Sequence, residues 1–75
     1  MSVTVNDLKI IAGKGGGMIL DAKKFTANDL KIIAGKASGT QAQITLKNPL
    51  ALSANDLKII AGKADGCVVF DFYDI

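Results

Sequence analysis

The 75-residue chain has no Arg, Glu, His or Trp. All of its charge sits on nine Lys and seven Asp, a formal net charge of +2. Each absence removes some chemistry. Without histidine there is no imidazole to act as a base near neutral pH or as a metal ligand. Without arginine there is no planar fork for bidentate phosphate or guanine contacts. A lone cysteine, Cys67, excludes an intrachain disulfide and suits a reducing cytosol. Three Phe and one Tyr are too few to build a stacking platform for nucleic acid. The start of the chain carries no secretory apolar segment, and no apolar run is long enough to span a membrane.

What the chain has is repetition. The phrase Asn-Asp-Leu-Lys-Ile-Ile-Ala-Gly-Lys occurs three times unchanged, at Asn6–Lys14, Asn28–Lys36 and Asn55–Lys63. Three identical copies in so narrow an alphabet suggest a recent duplication or a designed, consensus-like sequence. Each copy carries helix signals. Thr4, Thr26 and Ser53 are N-cap residues, and Asp7, Asp29 and Asp56 follow at capping-box spacing. Val3 with Leu8, Phe25 with Leu30, and Leu52 with Leu57 have the spacing of a hydrophobic staple. Gly13, Gly35 and Gly62 are the expected helix stops, with Lys14, Lys36 and Lys63 beside the negative helix ends. The spacing Leu30, Ile33, Ala34 is helical, which argues against reading the phrase as a strand of a β-solenoid.

These signals predict helices over Ser2–Gly13, Thr26–Ala34 and Ser53–Ala61, and strands over Met18–Ala22, Ala42–Lys47 and Cys67–Tyr73. Asn48-Pro49 marks a turn. The predicted fold class is α/β: a single small domain of three helix–strand repeats (about 3–24, 25–50 and 52–75). Three parallel strands lie side by side, joined by right-handed crossovers, with helices on one face. The strand patterns pair Met18, Ile44 and Val68, then Leu20, Leu46 and Phe70, on the helix side. Ile19, Thr45 and Val69 fall on the opposite face, beside an Asp21–Lys47–Asp71 row.

A strand-then-helix period of 22 to 27 residues, carried by Ile44-Thr45-Leu46-Lys47-Asn48, Leu52, Leu57 and Ile60-Ala61, resembles the leucine-rich-repeat family of ribonuclease-inhibitor-like α/β solenoids. Met18-Ile19-Leu20, Phe25, Leu30 and Ile33-Ala34 give a looser second match. Pro49 stands where that family has its asparagine, and Asn48 is one residue early, so only the general shape carries over. The resemblance implies binding through an open sheet face and no catalysis.

Candidate chemistry is sparse. Gly13-Lys14-Gly15-Gly16-Gly17 lacks phosphate-loop spacing and lies at a helix C-terminus, the wrong end for an anion. Asp21, Asp71 and Asp74 lack a histidine partner and calcium-loop spacing. Nothing beside Cys67 would activate its thiol, so it reads as a surface or half-buried structural residue. No cofactor is implied. Lys9, Lys31 and Lys58 recur at one helix position and are the candidate anion-binding stripe, although the offsetting aspartates argue against nucleic acid. Ile10, Ile32 and Ile59 fall about 200° from Leu8, Leu30 and Leu57 around each helix and point outward. Together with Val69 and Phe72 they form the candidate interface. The chain therefore reads as a non-enzymatic interaction module whose partner is a further copy of itself or another protein.

Overall fold

The protein is described by a computed structural model over residues 3–73. Helix α1 spans Val5–Gly13, α2 Ala27–Thr40 and α3 Ala54–Ala64. The strands are β1, Met18–Asp21; β2, Ile44–Lys47; and β3, Val68–Phe70. They form one parallel sheet in the order β1-β2-β3. The radius of gyration is 11.0 Å. No helix among the described residues is long and apolar enough to cross a membrane.

The helix starts follow the expected grammar. Thr4, Thr26 and Ser53 accept hydrogen bonds from the backbone N–H of Asp7, Asp29 and Asp56, each at 3.1 Å. One otherwise unpartnered N–H per helix is thereby satisfied. The helix ends correct the sequence reading. Gly13 is the last residue of α1, but Gly35 and Gly62 lie inside their helices. Left-handed Gln41 (φ 62°) and Asp65 (φ 49°) cap α2 and α3 instead. Lys36 is therefore a mid-helix residue, not a partner of the helix end. A helical glycine costs about 1 kcal/mol relative to alanine. Continuing the helix adds a backbone hydrogen bond per residue and brings Ala37 and Ala64 to 0% exposure.

The sheet register agrees with the pattern. Met18 pairs with Ile44 and Ile44 with Val68, and Leu20, Leu46 and Phe70 align behind them. These side chains face the core, where Ile44 (2%) and Leu46 (1%) meet Leu30, Ile33 and Ile60. Ile19 (70%) and Val69 (47%) are exposed on the other face. The strands are shorter than expected. Ala22–Lys24 and Pro49–Ala51 form single 3-10 turns after β1 and β2. Past Phe70, Asp71 still bonds to β2, but its carboxylate accepts the N–H of Tyr73 at 2.9 Å and turns the chain away. Gly17 is fixed by packing: a Cβ there would lie 2.9 Å from the carbonyl oxygen of Gln43, the residue just before β2.

Candidate interaction surfaces

Identical nonapeptides are placed in different surroundings. On the outward faces of the helices, Ile10, Ile32 and Ile59 are 50%, 37% and 37% exposed. Between successive helices run two equivalent grooves. One, about 350 Å³, is lined by Asn28, Lys31, Ile32, Gly35 and Lys36 of α2 with Lys63 of α3. The other, about 320 Å³, repeats the same positions from α1 with Lys36 of α2. The glycines form the open groove floor, with nothing within 4 Å of a Cβ built at Gly35.

The lysine stripe expected at Lys9, Lys31 and Lys58 is divided by the structure. Lys9 is 3.6 Å from Asp29, and Lys31 is 3.2 Å from Asp56, each ion pair linking one helix to the next. Lys58 on α3 is exposed and makes no ion pair with a described residue. A second lysine row at Lys14, Lys36 and Lys63 borders the grooves. Its spacing was visible in the nonapeptide, but those lysines read as dipole partners instead.

Val69 projects from the uncovered sheet face, and Phe72 (44% exposed) lies just past β3, its ring 6.1 Å from that of Phe70. The structure thus keeps the isoleucine row on the helix side and Val69 on the opposite side. They are not one patch.

The Asp21 and Asp71 carboxylates are hydrogen-bonded within the fold. Asn48 donates to Asp21 at 2.8 Å, and the Lys23 backbone N–H donates to it at 2.9 Å. These bonds hold the Asp21 carboxyl below the usual carboxylate range. The Asp71 carboxyl is held low by the Lys47 ammonium and by the Tyr73 N–H. Asp74 lies outside the described residues. No cluster of metal-ligating groups occurs among the described residues. Cys67 is buried, not at the surface, and its Sγ lies 3.9 Å from Gln41 Oε1.

No family model, curated protein or solved structure matches the chain.

Proposed function

We propose that this protein is a non-enzymatic interaction module that associates with further copies of itself, built as a short solenoid-like stack of helix–strand repeats. The observation that carries the reading is the amount of large apolar surface left outside so small a core. Ile10, Ile11, Ile19, Ile32, Ile59, Leu50, Val69 and Phe72 are each at least 37% exposed. Exposed large apolar side chains recur both on the helix side (Ile10, Ile32, Ile59) and on the open sheet face (Ile19, Val69), and exposed apolar surface beyond the ordinary scatter marks interfaces. A domain of this size buries only about 60% of its unfolded surface, so association adds burial that the single chain lacks. Both edge strands of the parallel sheet also offer unpaired backbone groups to another chain.

Two further features favour binding over catalysis. The carboxylates that could act as acids or bases are engaged with Asn48, Lys47 and backbone N–H groups. Lys9 and Lys31 are neutralised by aspartates of the next helix, which weakens the polyanion-binding alternative.

The test is light scattering coupled to size-exclusion chromatography across concentration. Mass should rise with concentration, and thermal unfolding should shift upward with it, because association stabilises the folded state by mass action. A monomer at every concentration would refute the proposal. Replacing Ile10, Ile32 and Ile59 together by Lys, and Val69 by Lys separately, then tells whether the helix face or the open sheet face takes part.

A further inference from the structure

We infer that copies of this chain join head to tail, with β3 of one copy seated against β1 of the next and α1 of the second copy covering the joint. The inference rests on the self-association proposed above and specifies its geometry. It follows from comparing identical residues in the three nonapeptides.

Each helix has one flank toward its predecessor and one toward its successor. The flank toward the predecessor carries the Asp and the second Ile of the phrase. Ile33 and Ile60 are 0% exposed there, but Ile11, the same residue on α1, is 41% exposed. Asp29 and Asp56 reach back to a lysine of the preceding helix. Asp7 has no preceding helix and closes the capping box on the N–H of Thr4 at 3.1 Å instead. The flank toward the successor carries the first Lys and the Ala. Ala12 and Ala34 are 0% and 2% exposed, whereas Ala61 on α3 is exposed. Lys9 and Lys31 are paired with the next helix, whereas Lys58 is exposed.

The sheet repeats the pattern. β2, flanked on both sides, buries Ile44 and Leu46, but Val68 and Phe70 at the same register positions of β3 are only half-buried. In a parallel ladder alternate residues bond to opposite neighbours. The bonds Met18 N–H to Gln43 and Ile44 N–H to Cys67 therefore leave the peptide groups of Ile19 and Asp21 on one outer edge, and those of Val68 and Phe70 on the other.

The apolar positions left open on α3 and β3 (Ala61, Val68, Phe70) thus have apolar complements open on α1 and β1 (Ile11, Met18). Continuing the internal register sets Val68 beside Met18 of the next copy. Ile11 of that copy then covers Val68 and Phe70, its α1 packs on Ala61, and its Asp7 meets Lys58. A second copy of this chain is the occupant because the groups it offers are the ones that fill these positions inside the chain. Since the two surfaces differ, the contact is heterologous and propagates to a ring or a filament. The same register sets Asp71 beside Asp21 of the next copy, a like-charge contact that tempers the joint.

The experiment uses complementary blocked variants of the whole chain. Ile11→Lys spoils only the head and Ala61→Lys only the tail, and both residues are exposed in the single chain. Light scattering should show wild type growing beyond a dimer, each variant alone as a monomer, and their equimolar mixture as a one-to-one dimer. Formation of that dimer also shows that both variants are folded. Lys58→Asp should weaken wild-type association about threefold or more, and Asp21→Asn should tighten it. If wild type oligomerises but both blocked variants keep its mass, or if their mixture stays monomeric, the head-to-tail joint is overturned. If wild type is monomeric throughout, self-association itself fails, and this joint with it.

Discussion

Lys31 on α2 holds the carboxylate of Asp56 on α3 at 3.2 Å, and Lys9 on α1 stands in the same relation to Asp29 on α2. The phrase that specifies each helix therefore also specifies its attachment to the next. The aspartate does a second task, since its backbone N–H is held by the N-cap hydroxyl. Cap and inter-helix link thus depend on the same residue.

Far-UV circular dichroism should give a mixed α/β spectrum, with helix over three segments and strand over a short sheet. A strand-only spectrum would contradict the helical assignment of the nonapeptide.

Ile33→Ala should destabilise the fold by about 2–5 kcal/mol, the cost of removing a fully buried branched side chain. Ile11→Ala should cost about 1 kcal/mol or less, because the side chain is 41% exposed. Denaturant midpoints measured at high dilution, so that association does not contribute, provide the comparison. Equal midpoints would mean that α1 and α2 sit in equivalent surroundings.

Gly35→Ala should stabilise the protein by about 1 kcal/mol. The residue is helical, nothing lies within 4 Å of a Cβ built there, and alanine removes backbone entropy from the unfolded chain. Gly17→Ala should do the reverse, since its Cβ would press on a backbone carbonyl. Thermal melts of the two variants should move in opposite directions from wild type.

Phe25→Ala should destabilise the fold more than Lys24→Ala. Phe25 packs partly buried against the core, whereas Lys24 is exposed. A core aromatic truncation costs about 3–5 kcal/mol at a fully buried site, so the partly buried Phe25 should fall below that range. Urea unfolding of both variants decides it, and coincident curves would show that Phe25 contributes no packing.

Acid should weaken the fold through Asp21 and Asp71. Both carboxyls titrate below their ordinary value when folded, so the stability they contribute is present above the unfolded pKa and is lost as pH falls through the folded one. Stability should therefore decline below about pH 4. The Asp21→Asn, Asp71→Asn double variant should show a shallower decline between pH 5 and pH 2 (about the range over which such groups protonate). An unchanged slope would mean that other carboxyls carry the acid response.

The sequence by itself determined the elements, the strand register and the helix starts. Those depend on local rules that the chain states three times: a hydroxyl at the cap, an aspartate three residues on, helical apolar spacing, then a short apolar run bounded by turn residues. Thr26, Asp29 and Leu30 could be placed on a helix without knowing anything outside α2. Met18-Ile19-Leu20 is apolar throughout, and its buried face follows only from aligning it with Ile44-Thr45-Leu46, a register that the sheet pairing bears out. Only the tertiary structure decided where α2 and α3 end and which copy of a repeated residue is buried. Helix length turned on whether Ala37 and Ala64 gained more by packing than Gly35 and Gly62 lost in backbone entropy, a balance no local signal reports. The lysine stripe likewise dissolved only when the helices stood side by side and Asp29 and Asp56 came within reach of Lys9 and Lys31. Ile11, Ile33 and Ile60 have identical neighbours in sequence, and exposure separates them because burial depends on the element standing alongside in space.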